Sequence, residues 1–285
     1  MEKLKLAIIG AGGIATHAHA PSYENMDNVD VVCVCDIIAE RAEKLAERLG
    51  AEKWCTDYKE ALDIRGLDAV DICTPNYLHS IIAVEALDRG INVVCEKPDA
   101  INAAEAEKMK IAAEKSGKVL MVIRNNRFMA VSSYLKKYIE DGRMGEIYSA
   151  RCGWQRRRGI PGKGGWFTTK EQSGGGPLID LGVHMIDLSM WLMGNPKPVA
   201  VSGCTYEKFA NTEVADSVHS KFGDVKDDGI FDVEDLAMGF IRFENGACMQ
   251  IEFSWASNIE AEQKFFELRG TRSGAAWTSL DNKLK

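Results

Sequence analysis

From residue 4 to residue 123, short apolar runs alternate with stretches whose apolar residues recur at helical spacing. The runs at 6–9, 29–35, 69–73, 92–95 and 119–123 predict strands. The stretches 40–49, 78–88 and 103–115 predict helices, with Ala42, Leu45, Ala46 and Leu49 forming one stripe. Gly50, Gly90 and Gly117 each stand where a helix C-terminus favours glycine. Such alternation predicts a parallel, doubly wound α/β sheet over residues 1–123.

The pattern changes beyond residue 123. A helical stretch at 132–140 leads to a strand at 147–155, a glycine-rich loop at 159–176 and a helix at 178–193. Strands follow at 199–206, 236–243, 248–255 and 265–269, with Asn245-Gly246 at a hairpin turn. Strands joined by hairpins predict a second, α+β domain over 124–285 with a mostly antiparallel sheet. The polar stretch 207–234 reads as a long surface excursion.

Composition narrows the function. A net charge of -7 argues against binding to a phosphate backbone, hence against nucleic acid. No apolar run approaches the roughly 20 residues of a membrane span. Eight cysteines occur without a CxxC pair, and Cys33, Cys35, Cys73 and Cys95 lie in apolar runs. They read as buried free thiols in a reducing cytoplasm.

Gly10-Ala11-Gly12-Gly13-Ile14-Ala15 follows the first strand and matches G-x-G-x-x-G/A. Gly10 permits the turn and Gly12 a close backbone approach to a pyrophosphate. Gly13 and Ile14 open the helix whose N-terminus attracts phosphate. Asp36 ends the second strand near the spacing of a ribose-binding acid, although a helix-capping role is open to it as well. Its carboxylate repels a 2′-phosphate, and Ile37 and Ile38 offer no compensating cation, so NAD is expected over NADP. Thr74 and Asn76 end another strand and are further cofactor candidates, with His79 just beyond.

Glu96-Lys97-Pro98 follows the strand at 92–95, where the carboxyl ends of strands form the ligand crevice. An amine at Lys97 can hold a substrate hydroxyl and accept its proton. Asp180 and His184 stand four residues apart on one helix face. A carboxylate there can orient an imidazole for proton transfer; a capped helix with a core histidine is the plainer reading. No metal is expected, since a third ligand at recognised spacing and HExxH are both missing. Arg156 within Arg156-Arg157-Arg158 is a candidate for substrate recognition. Trp154 and Trp166 flank the glycine-rich loop, where either can stack on a sugar ring or fill a core.

Taken in order, these motifs resemble the Gfo/Idh/MocA family of nicotinamide-dependent oxidoreductases. The markers are Gly10-x-Gly12-x-x-Ala15, Asp36, Thr74-Pro75-Asn76, Glu96-Lys97-Pro98, Asn126-Arg127-Phe128 and Gly174-Gly175-Gly176-x-x-x-Asp180-x-Gly182-x-His184. The resemblance implies a Rossmann domain followed by an α+β domain whose open sheet packs against a second subunit, in a homodimer or homotetramer. It implies that Lys97, Asp180 and His184 line the site, with His184 the proton acceptor, and that Asn126 and Arg127 meet substrate. The implied activity is oxidation of a secondary hydroxyl on a sugar, inositol or related polyol. A redox-neutral, glycosidase-like use of tightly held NAD and a non-catalytic NAD/sugar sensor are the alternatives. Three features depart from the family pattern. Asp99 places a negative charge after the lysine motif, Arg124-Asn125 replaces a usual Gly-Tyr, and the sequence ends at Lys285, short of the expected final strands and helix.

Overall fold

A computed structural model describes residues 3–212 and 223–285. The chain forms two compact units, Met1–Ile123 with Glu171–Gly174, and Arg124–Lys170 with Gly175–Lys285.

In the first unit six strands run parallel: β1 (Leu4–Ile9), β2 (Val29–Cys35), β3 (Lys53–Cys55), β4 (Ala69–Ile72), β5 (Asn92–Cys95) and β6 (Leu120–Val122). Their order, β3-β2-β1-β4-β5-β6, is that of a dinucleotide-binding sheet. Both faces of β1 are buried. Ala7 and Ile9 pack with Cys33, Cys35, Ile72 and Val93, whereas Leu6 and Ile8 pack with Val31, Val34 and Leu45 on the other side. This two-sided burial explains the continuous apolar runs. The helices Ala39–Leu49 and Ala103–Ser116 end at Gly50 and Gly117, both left-handed. Strand β3 escaped the sequence pattern because only Cys55 of its three residues is buried. Cys33, Cys35, Cys55, Cys73 and Cys95 are free and buried here.

The second unit holds β7 (Ile147–Gln155), β8 (Pro198–Tyr206), β9 (Leu236–Phe243), β10 (Cys248–Ser254), β11 (Gln263–Gly270), β12 (Gly274–Thr278) and β13 (Lys283–Leu284). They pair in the order β13-β12-β11-β7-β10-β9-β8, antiparallel except for β7 beside β10. Helix Val183–Leu192 lays Met185, Leu188 and Leu192 on one face of this sheet, against a core that includes Met249, Phe253 and Phe266. The hairpin turn falls at Asn245-Gly246, where Gly246 has a φ of 83°. Strands β12 and β13 extend the sheet beyond the elements the periodicity had predicted.

The excursion expected over 207–234 lies partly outside the described residues. Its described flanks are mostly exposed, as a surface excursion requires, and are tethered by hydrogen bonds. Lys226 N–H donates to the Lys163 carbonyl at 2.9 Å, and the Thr168 hydroxyl donates to the Ile230 carbonyl at 2.7 Å. Val233 is buried as well. A polar segment can be held by hydrogen bonds that a hydropathy pattern does not reveal. Among the described residues, no helix is long and apolar enough to cross a membrane.

Candidate active site

In the first unit, the turn after β1 is built for close approach. Gly10 has a φ of 100°, and a Cβ there would stand 2.6 Å from the Cys73 carbonyl oxygen, so only glycine fits. A Cβ on Gly12 would meet no described atom within 4 Å, which leaves its backbone facing open space. The helical residues begin at Gly13 and Ile14 and continue as a π-helical turn, Ala15–His19. The Asp36 carboxylate ties this turn to the end of β2. One oxygen accepts the Ala11 N–H at 2.7 Å, the other the Ile38 N–H at 2.8 Å. A carboxylate has about four acceptor positions, so two remain for a ribose. The capping and ribose-binding readings of Asp36 are therefore compatible.

Thr74 follows β4 beside Gly10, and its buried hydroxyl has no hydrogen-bond partner among the described residues. An orphaned polar atom at the turn, with the Asp36 acceptors, fits a dinucleotide. Asn76 is committed within the unit, its amide donating to the Ser173 carbonyl at 2.8 Å. His79 is fully buried, and its ring nitrogens face the carbonyls of Pro98 and Thr74 at 2.8 and 2.9 Å. Burial lowers its pKa despite those two carbonyls. The structure thus places His79 behind the cradle, bracing the loop that follows Lys97, rather than on the cofactor surface. Lys97 itself is half-buried. Its backbone N–H donates to Glu96 Oε2 at 2.9 Å.

In the second unit, Asp180 lies on a π-helical turn, Leu178–Gly182, that runs into helix Val183–Leu192 bearing His184. Asp180 is buried and accepts the indole N–H of the wholly buried Trp255 at 2.9 Å. The preceding Gly176 has no room for a side chain, since a Cβ would come within 1.9 Å of the Glu234 carbonyl oxygen. Glu234 in turn accepts the Gly176 and Leu178 N–H groups, fixing the start of the turn. The Trp154 ring stands 5.8 Å from the half-buried His184 imidazole.

Several expected substrate contacts are engaged otherwise. Arg127 is clasped by Asp187, with Nε donating at 2.8 Å, and lies over Trp191, which makes it a brace between its turn and the helix. Trp166 stacks on its neighbour Phe167 at 3.8 Å and packs against the core. Within the arginine run Arg157 is exposed and Arg158 half-buried. Arg156 is buried, lies 5.2 Å over Trp154 and donates to the Gly159 carbonyl. Burial pulls its pKa down, opposed by the charges of Asp180 and Glu262.

Lys264 was not legible from motif or spacing. Its ammonium lies 4.8 Å from the Trp154 ring and 5.6 Å from the Trp277 ring, and donates to Asn126 Oδ1 at 3.3 Å. Burial lowers its pKa, and no carboxylate among the described residues forms an ion pair with it. The amide nitrogen of Asn126 is buried and lacks a partner among the described residues. Strand alternation puts Lys264 on the face of β11 that carries the buried Phe266 and Leu268, without naming its neighbours.

Comparison with known proteins identifies the family and the fold. Residues 4–124 match the family described as the oxidoreductase family, NAD-binding Rossmann fold, and residues 133–276 match the GFO/IDH/MocA C-terminal domain. The chain is 37% identical over 275 residues to D-glucoside 3-dehydrogenase of Escherichia coli (strain K12), covering 95% of this chain and 76% of that protein. It is 32% identical over 285 residues to levoglucosan dehydrogenase of Pseudarthrobacter phenanthrenivorans, covering 95% and 72%. The solved structure of a levoglucosan dehydrogenase with NADH and L-sorbose superposes with a TM-score of 0.87 at 28% identity, covering 100% of this chain and 75% of that one. This chain belongs to the Gfo/Idh/MocA oxidoreductase family, and its first unit is an NAD-binding Rossmann fold.

Proposed function

We propose that the protein is an NAD-dependent dehydrogenase that oxidises a secondary hydroxyl of a sugar, glycoside or cyclic polyol. The observation that carries the reading is in the second unit: a buried carboxylate, Asp180, pinned by Trp255, one helical turn before an accessible imidazole beside an indole ring. Dehydrogenases of glucosides, levoglucosan and inositols among its relatives support the substrate class. When bound, NAD would supply the hydride acceptor. Gly10, Gly12 and the Gly13–Ile14 helix start would hold its pyrophosphate, and Asp36 its ribose.

In this reading His184 accepts the hydroxyl proton, and Asp180 favours the resulting imidazolium through its negative charge. The indole N–H of Trp255 holds that carboxylate in place. Lys97 is the Rossmann unit's acid–base group, held by its backbone on Glu96. Trp154 offers a face for the apolar side of a sugar ring, while Lys264 and the Asn126 amide offer donors to hydroxyls. The test is reduced-nicotinamide absorbance with NAD and a panel of glucosides, anhydrosugars and inositols. Turnover of one class, strongly reduced but measurable in Lys97→Ala and His184→Ala, is expected. A folded, NAD-binding chain that turns over none of the panel would overturn the reading.

A homo-oligomer built through the second sheet belongs to the same proposal. Met238 and Phe240 on β9 and Val201 on the edge strand β8 are exposed apolar residues on that sheet. A second copy of the chain is the occupant supported by the family resemblance. Light scattering on Phe240→Glu would show a smaller species than the parent. The five buried thiols of the Rossmann unit support a reducing, cytoplasmic setting.

A further inference from the structure

A buried ionic cluster in the Rossmann unit has no part in the chemistry described so far. His19, the last residue of the π-helical turn after the glycine loop, stands between two carboxylates. Its Nδ1 is 2.7 Å from Asp71 Oδ2 and its Nε2 is 3.0 Å from Glu96 Oε1. Asp71 is wholly buried on β4 and also accepts the Tyr23 hydroxyl at 2.8 Å. Glu96 is buried after β5, and its second oxygen accepts the Lys97 backbone N–H. One chain of hydrogen bonds therefore runs from the helix behind the dinucleotide turn to the lysine.

A neutral imidazole has a single N–H and can donate to only one of these carboxylates. Two ionised carboxylates facing the two ring nitrogens favour the imidazolium, which donates to both. The pKa agrees: burial pulls His19 down, but hydrogen bonds to Asp71 and Glu96 outweigh it and raise the group to about 10. Burial likewise pushes Glu96 up, and the His19 hydrogen bond with the charges of Lys97 and His19 reverses this and holds it below the ordinary range. Tyr23 and Cys73 face the same carboxylates and are both pushed up, first by burial, so both remain neutral. The ligand atoms of His19, Asp71 and Cys73 lie within 4.8 Å of one another, as a metal would require. Both imidazole nitrogens are already used as donors, however, and the thiol holds its proton.

An apolar trio would fill this space at lower cost, because buried ion pairs seldom add net stability. What such a network supplies is fixed geometry. We infer that His19 is a positioning residue, which sets the orientation of Lys97 by clamping Glu96 to the dinucleotide-binding helix. The inference rests on the reading of Lys97 as the acid–base amine.

The test uses the full chain with two readouts, kcat with NAD and a glucoside, and the NMR titration of 13C-methylated lysines, with the Lys97 signal identified by its loss in Lys97→Ala. His19→Asn and Glu96→Ala are expected to lower kcat about tenfold or more and to move the Lys97 signal, while KM changes less than about threefold. Glu96→Gln keeps an oxygen for the Lys97 N–H and is expected to recover most of kcat, which also covers the case in which His19→Asn does not fold. In a Lys97→Ala background the His19 and Glu96 changes are expected to add nothing further. An unmoved Lys97 signal in folded His19→Asn or Glu96→Ala, or an equal loss of kcat in the Lys97→Ala background, overturns the inference and leaves the dehydrogenase reading standing. Full activity in Lys97→Ala overturns both roles at once, and the absence of any turnover with an unmoved NMR signal does the same.

Discussion

Trp255 donates its indole N–H to the Asp180 carboxylate at 2.9 Å, and both side chains are buried in the second unit. The indole thereby holds the acid that stands one turn before His184. Replacing Trp255 with Phe keeps most of the packing and removes the donor. A hydrogen bond to a charged group is worth about 1.5–3 kcal/mol. The expected outcome is a thermal midpoint several degrees lower and a kcat reduced by about tenfold, with NAD affinity unchanged. Differential scanning calorimetry and steady-state kinetics check both. An unchanged kcat would separate Trp255 from the chemistry.

Lys264 is a half-buried amine beside two indole rings and an amide oxygen. Lys264→Met preserves the stem and removes the charge. Because burial disfavours the ammonium, folding stability is expected to be unchanged or slightly higher, while the KM for substrate rises by about tenfold. A rise in KM with no change in kcat identifies Lys264 as a binding group.

Asp36 binds the Ala11 and Ile38 amides through its two oxygens. Asp36→Ser removes the charge that repels a 2′-phosphate. The ratio of kcat/KM for NAD over NADP is expected to fall by about tenfold or more, mostly through weaker use of NAD. Parallel titrations with the two cofactors measure it.

The buried His19 cluster makes stability depend on pH. His19 has a folded pKa of about 10 against an ordinary 6.5. Its contribution is therefore full below about pH 6.5 and is lost as pH rises through 10. Glu96 has a lowered folded pKa, so its contribution is present above the ordinary carboxylate range and lost as pH falls through the folded value. Unfolding free energies from urea titrations are expected to fall between pH 7 and 10 by an amount on the order of a few kcal/mol. Folded His19→Asn is expected to show a flatter alkaline limb, and an equally steep one would assign the loss to other groups.

Arg127 is held by Asp187 and lies over Trp191, a use of the Asn126-Arg127-Phe128 motif that the sequence reading had turned toward substrate. Arg127→Ala is expected to lower the thermal midpoint while leaving the KM for substrate within about threefold. Thermal denaturation and substrate titration separate the two roles.

Features that depend on neighbours along the chain were legible before the fold was known. Two-sided burial of parallel strands wrote continuous apolar runs, so β1, β2, β4 and β5 were legible, as was the Gly10 turn that only glycine can make. The Asp180–His184 spacing was likewise fixed by helical geometry. Strand β3 was not legible, because three residues with one buried side chain carry no period. Tertiary structure alone decided which charges meet. His19 reaches Asp71 across 52 residues and Glu96 across 77, and Lys264 reaches Asn126 across 138. Hydrophobic patterning specifies which face is buried, but not the partner that a polar group finds there. The same limit hid the engagement of His79 and Arg127, whose hydrogen-bonding capacity is spent inside the protein. Charge state follows from that partnership, since burial and a facing carboxylate exist only once the chain has folded.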